Sequence, residues 1–170
     1  MFRQCAVASA VLASVALAAP ASAAFYRGTS ASNNFVGTKY ADRALLLGGN
    51  DTAFGGDGAD DLYGGDGRDW LRGGNGNDYL SGGPGGDQIE GGPGADVIYG
   101  GGGADSVNGG TGRDKIWLGD GNDEVILIPD GVRDEVWCGT GTDTATLINL
   151  ADPHDVLHSC EETLIVIIQP

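Results

Sequence analysis

The strongest constraint on this chain is a spacing. Aspartates stand at positions 42, 51, 60, 69, 78, 87, 96, 105, 114 and 123, ten carboxylates nine residues apart. A fixed short period marks a stacked architecture, in which each repeat buries its apolar face only against its neighbours. Seven successive units, starting at Gly55, Gly64, Gly73, Gly82, Gly91, Gly100 and Gly109, follow Gly-Gly-x-Gly-x-Asp-x-U-x, with U a larger aliphatic residue. An eighth, LGDGNDEVI from Leu118, lacks only the first glycine.

The residue types at these positions have a physical logic. Glycines at positions one, two and four let the backbone turn through dihedrals that a side chain penalises. Such a turn aims carbonyl oxygens at one spot, and position six brings a carboxylate there. Hard, negatively charged oxygen donors suit Ca²⁺, which takes about six to eight of them at roughly 2.3–2.6 Å. Positions seven to nine predict a three-residue strand whose centre points inward. Those centres are Leu62, Leu71, Leu80, Ile89, Ile98, Val107, Ile116 and Val125, an aliphatic column.

Composition narrows the alternatives. With 32 glycines in 170 residues, a helical bundle is disfavoured, because each interior helical glycine costs about 0.5–1 kcal/mol against alanine. The 24 acidic and nine basic residues give a net charge of -15, which argues against nucleic acid as a partner. An acidic, glycine-rich disordered linker fits the composition as well. The unbroken aliphatic column argues for order, and the repelling aspartate rows argue that order waits on a cation. The expectation is therefore a chain that folds on binding calcium.

The nonapeptides resemble the calcium-binding repeat of the RTX, or haemolysin-type, family, found also in secreted proteases and lipases. The likeness is close over residues 46–126 and looser over 37–146. It implies an all-β parallel β-roll with two nonapeptides per 18-residue coil. Each ion in that family lies between turns one coil apart, held by the position-six aspartates and by turn carbonyls. Carried onto this chain, one edge pairs Asp60 with Asp78, Asp78 with Asp96, and Asp96 with Asp114. The other edge pairs Asp69 with Asp87, Asp87 with Asp105, and Asp105 with Asp123. The metal-ligating set expected on this basis is Asp51, Asp60, Asp69, Asp78, Asp87, Asp96, Asp105, Asp114 and Asp123, holding about five to six calcium ions.

Around the repeats the chain divides into four parts. Residues 1–23 read as a cleavable secretory leader: Arg3, an apolar run from Ala6 to Ala19, and Ala21-Ser22-Ala23 before the cut at Ala24. The run is short of the ~20 residues that a membrane span needs. Residues 24–36 read as a flexible lead-in, 37–146 as the roll and 147–170 as a capping segment. Such a leader implies a secreted, extracellular bacterial protein, and departs from the uncleaved carboxy-terminal export signal of RTX toxins. Cys138 and Cys160 then read as a disulfide, with two free thiols or a nucleophile beside His158 as the rivals. His154 and His158 lack the glutamate of a His-Glu-x-x-His site, and a polar loop is the preferred reading.

Stacking by eighteen also orders the outside. Tyr63, Ser81, Tyr99 and Trp117 form one outward row, beside Asp61, Tyr79, Val97 and Lys115. Arg72, Glu90, Asn108 and Ile126 lie on the opposite face, with Trp70, Gln88, Ser106 and Glu124. The aromatic face could receive the termini, bind a glycan or protein partner, or be an ordinary decorated sheet. No Gly-x-Ser-x-Gly or His-Glu-x-x-His motif occurs, so the reading is a non-enzymatic calcium binder. The alternative is a cell-surface adhesin or structural module built on the same scaffold.

Overall fold

The repeats fold as the nine-residue period requires. A computed structural model describes residues 23–148 and 154–166, and the leader read over residues 1–23 lies outside these apart from Ala23. Sixteen short strands run through the described residues. They are β1 (Phe25–Arg27), β2 (Asn34–Val36), β3 (Arg43–Leu45), β4 (Thr52–Asp57), β5 (Asp61–Tyr63), β6 (Trp70–Asn75), β7 (Tyr79–Pro84) and β8 (Gln88–Pro93). The remainder are β9 (Val97–Gly102), β10 (Ser106–Thr111), β11 (Lys115–Asp120), β12 (Glu124–Leu127), β13 (Glu135–Thr140), β14 (Thr144–Ile148), β15 (Val156–His158) and β16 (Glu162–Val166).

Odd-numbered strands form one eight-stranded sheet and even-numbered strands the other, each in simple sequential order. All pairings are parallel, and through the regular part the register is eighteen residues: Leu62 sits beside Leu80, and Leu80 beside Ile98. Two nonapeptides therefore make one coil of an all-β parallel solenoid. Side chains alternate in and out along each strand, so the position-eight residue enters the core and its neighbours face solvent. Leu62, Leu71, Leu80, Ile98, Val107, Ile116 and Val125 are fully buried, and Ile89 nearly so.

The turns need glycine for two reasons. Gly76 has φ +134°, and a methyl placed on it would overlap the carbonyl oxygen of Gly58 one coil below. The geometry is nonetheless imposed by the stack, since Leu47 adopts φ +79° where other units have glycine.

The roll is longer than the 37–146 segment read from the sequence. Residues 24–36 carry β1 and β2, which pair with β3 and β4 as a complete first coil. Tyr26 and Phe35 fill the inward slots there, with ring centroids 5.4 Å apart, and close the amino-terminal end of the core. At the other end β15 and β16 extend both sheets beyond residue 146. The register lengthens on the way: Lys115 pairs with Glu135 and Glu124 with Thr144, twenty residues on, and Glu135 with Val156, twenty-one on. The two extra residues are absorbed by the turn at Ile128–Arg133, between β12 and β13. Cys138, fully buried, is joined to Cys160 by a disulfide with Cα atoms 5.1 Å apart. Among the described residues no helix is long and apolar enough to cross a membrane.

Candidate cation site

Each edge of the roll carries a ladder of buried aspartates. Asp42, Asp51, Asp60, Asp69, Asp78, Asp87, Asp96, Asp105, Asp114, Asp123, Asp134 and Asp143 are each at most 3 % exposed. Every rung holds the next by one repeated hydrogen bond. The N–H of Asp60 donates to Asp78 Oδ1 at 2.8 Å, that of Asp78 to Asp96 Oδ1 at 2.8 Å, and that of Asp96 to Asp114 Oδ1 at 2.9 Å. On the other edge Asp69, Asp87 and Asp105 donate to Asp87, Asp105 and Asp123, each at 2.8 Å. The pairs named from the family resemblance are thus brought together, one coil apart.

The second carboxylate oxygen is the unusual one. Oδ2 of Asp51, Asp60, Asp69, Asp78, Asp87, Asp96, Asp105, Asp114, Asp123 and Asp143 is buried without a hydrogen-bond partner. A buried acceptor left unpaired costs about 1–3 kcal/mol, and more when it is charged. From Asp60 to Asp114 each lies against the first glycine of its own unit. A methyl on Gly73 would overlap Asp78 Oδ2 and sit 2.8 Å from the carbonyl oxygen of Gly91 in the next coil. Two oxygen acceptors therefore face the same small space with no donor between them. A proton or a cation relieves such an arrangement.

Their acidities carry the same strain. Burial pushes Asp87 and Asp96 up to about 7; the backbone N–H from the rung below offsets part of this, and the neighbouring carboxylates add to the rise. Asp60, Asp105 and Asp114 are pushed up to about 6, again chiefly by burial. Asp51, Asp69, Asp78 and Asp123 are raised for the same leading reason. Among the described residues no three His, Cys, Asp or Glu side chains converge on one point. Any ion held here takes carboxylates together with turn carbonyls, an all-oxygen set that fits calcium.

The ladders run past the aspartates read as ligands. Asp114 donates to Asp134 Oδ1 at 2.8 Å and Asp134 to Asp155 Oδ1 at 2.9 Å. On the other edge Asp123 donates to Asp143 Oδ1 at 3.0 Å, and Asp143 to Glu161 Oε2 at 3.1 Å. Asp143 shares the unpartnered Oδ2 of the repeats, and its position in CGTGTDTAT was the signal that marks it. Asp42 differs: its Oδ2 accepts from the N–H of Thr38, so that rung is satisfied internally.

The outward aromatic row is present and longer than the sequence reading had it. Ring centroids of Tyr63 and Tyr79 lie 5.3 Å apart, Tyr79 and Tyr99 5.6 Å, Tyr99 and Trp117 4.8 Å, Trp117 and Trp137 4.6 Å, and Trp137 and His158 5.0 Å. His158 therefore sits on a strand at the end of this stack.

Fold and site together define a parallel β-solenoid lined on both edges by buried carboxylates. Segments 27–62, 47–80, 54–89, 81–116 and 99–126 match the family of the RTX calcium-binding nonapeptide repeat (4 copies). Together they span residues 27–126, more than half of the 170-residue chain, and the chain belongs to that family. No curated protein matches it.

Proposed function

We propose that this chain is an exported, non-enzymatic calcium-binding protein whose roll orders as calcium binds. The observation that carries the reading is the pair of ladders with buried, unpartnered Oδ2 atoms. The residues that would hold the ions are Asp51, Asp60, Asp69, Asp78, Asp87, Asp96, Asp105, Asp114 and Asp123, with Asp143 added, together with carbonyls of the glycine turns. Calcium, when bound, supplies the positive charge that these oxygens lack. The chain's own part is to hold the carboxylates in register through the Asp N–H to Oδ1 bonds and to keep water from Oδ2. About five to six ions follow from the pairs between well-formed turns, and extracellular modules of this kind bind with dissociation constants of about 10⁻⁴–10⁻³ M.

Each coil buries little apolar surface of its own, so ordering is coupled between neighbours and the transition is cooperative. A calcium titration followed by far-ultraviolet circular dichroism tests this, with magnesium as the control ion. A sigmoidal gain of β signal with calcium alone is expected. Middle coils already ordered at neutral pH without calcium, or a chain that responds equally to magnesium, would overturn the reading. The adhesin alternative draws less support: both faces of Trp117 are covered by its neighbours Tyr99 and Trp137, which reinforces the roll rather than offering a ring to a sugar.

A further inference from the structure

The two ladders begin differently. On one edge the slot eighteen residues before Asp51 holds Asn33, whose N–H donates to Asp51 Oδ1 at 2.6 Å and whose Nδ2 reaches the same oxygen at 3.2 Å. On the other edge the slot before Asp42 holds Ala24. Its backbone N–H donates to Asp42 Oδ1. Its carbonyl accepts from the N–H of Arg43 at 2.9 Å, as the carbonyl of Asp42 accepts from Asp61 at 2.8 Å. Ala24 is therefore a full rung of the ladder, but one with no polar side chain. The Thr38 hydroxyl also reaches Asp42 Oδ1, at 3.1 Å, but what the Ala24 rung itself gives to the cap comes from its backbone nitrogen.

That nitrogen is the atom that leader removal frees. We propose that cleavage between Ala23 and Ala24 turns the nitrogen of Ala24 into an ammonium that caps the Asp42 rung, so that processing completes the amino-terminal end of the roll. The proposal rests on the reading of an exported chain with a cleaved leader. In the step, a leader-removing endopeptidase adds water across the Ala23–Ala24 peptide bond. The hydroxyl goes to the carbonyl carbon of Ala23 and the hydrogen to the nitrogen of Ala24. At neutral pH the new carboxyl releases a proton and the new amine takes one up.

The surroundings suit this outcome. Ala23 is exposed, whereas Ala24 is half-buried and packs against the core, so burial begins at the cut and β1 one residue after it. Asp42 is 3 % exposed, where a charge partner is screened little by solvent. The basic side chains nearest in sequence are engaged elsewhere: Arg43 lies by Asp61 and Tyr63, and Lys39 over Tyr40. Cleavage replaces one neutral donor by a charged one, and charge-assisted hydrogen bonds are the stronger kind.

The test starts from full-length chain passed through an exporting host, with the first residue identified by mass spectrometry. Ala24 is expected, and any other first residue overturns the proposal. The processed protein is then compared, in saturating calcium, with a version that retains Ala23. That version keeps the Ala24 N–H but moves the charge one residue away. Amide exchange in β1 and β3 is expected to be about tenfold faster when Ala23 is retained, the size of gain that a charge brings to a hydrogen bond. Asp42→Asn is expected to cause a similar loss in the processed chain and little further loss in the Ala23-retaining one. Equal exchange in the two chains, or losses that simply add, overturns the cap while leaving calcium-dependent order intact. Failure of every version to order under calcium overturns the cap and the calcium reading together.

Discussion

The middle of the roll and its carboxy-terminal end solve the same stacking problem by different means. Between Gly55 and Trp117 each nonapeptide buries one aliphatic side chain, places glycine at position one, and leaves a carboxylate oxygen unpartnered. From Leu118 onward position one holds Leu118, Leu127, Cys138 and Leu147, all of them buried. The number of inward side chains per repeat thereby doubles, and each added leucine is worth about 1.5–3 kcal/mol on full burial. The disulfide and the stacked rings of Trp117, Trp137 and His158 belong to the same end. One region is shaped by backbone turns and, on the proposed reading, closed by a cation; the other keeps unpartnered carboxylates at Asp123 and Asp143 but is held by its own side chains as well.

Calcium withdrawal should separate the two regions most clearly. Ligand binding shifts the folding equilibrium by mass action, on the order of 4 kcal/mol at a thousandfold excess over the dissociation constant. In chelator, amides of β5 to β11 should therefore lose on the order of a thousandfold in exchange protection, and β13 and β14 markedly less. Uniform loss along the chain would show that the added side chains at the end confer no independence.

Protons offer a second route to the same contrast. Burial in the folded chain raises Asp87, Asp96 and Asp134 to about 7, and Asp60, Asp105 and Asp114 to about 6, from the ordinary carboxyl value of 3.8. The folded state thus binds more protons than the unfolded chain between about pH 4 and 7. Its calcium-free stability is accordingly highest near the lower limit and is lost as pH rises through 6 and 7. Five of these six carboxylates lie in the middle of the roll, so acidifying the chelated protein from pH 8 to pH 5 should restore β signal there. With calcium present the direction reverses, because protons and cations compete for the same Oδ2 atoms. A chelated protein that loses structure on acidification would sink this account.

The disulfide acts on the other region. Its cysteines are 22 residues apart in sequence, and a loop of that size is worth about 3 kcal/mol. Replacing both residues, Cys138→Ser with Cys160→Ser, should lower denaturant stability in calcium by about that amount. Exchange in β13 to β16 should accelerate while the calcium midpoint of the middle coils stays put. A shift of that midpoint would mean that the end coils nucleate the rest.

Much of this was legible in the sequence, and the exceptions share a cause. The nine-residue aspartate count located both ladders, the inward column and the register of the outer rows, because each depends on a residue type at a fixed step. The amino-terminal coil escaped, since Ala24 and Asn33 serve as rungs through their backbone nitrogens and carbonyls, which no residue type advertises. Counting back by nine from Asp42 does reach both, and the large apolar Tyr26 and Phe35 stand at position eight of those units. At the other end the extra residues at Ile128–Arg133 break the count, and Asp155 and Glu161 continue the ladders at steps of 21 and 18 residues. Length of turn and identity of the acid change together there, so periodicity alone cannot follow the chain.

The smallest effect should come from the aromatic row, which spans both regions. Trp137 stacks between Trp117 and His158, with interplanar angles of 4° and 9°. Aromatic pairs contribute about 0.5–1.5 kcal/mol beyond their buried area. Trp137→Leu keeps an apolar, outward side chain on β13 and removes two such contacts, so a loss of about 1–2 kcal/mol in calcium is expected from denaturant unfolding. Tyr79→Leu, in the middle of the roll, removes the tilted contacts to Tyr63 and Tyr99 and should cost less. In chelator the comparison sharpens: the Trp137 effect should persist, because that end keeps its order, and the Tyr79 effect should vanish with the coils that display it. Equal persistence of both would mean that the middle of the roll holds together without its cation.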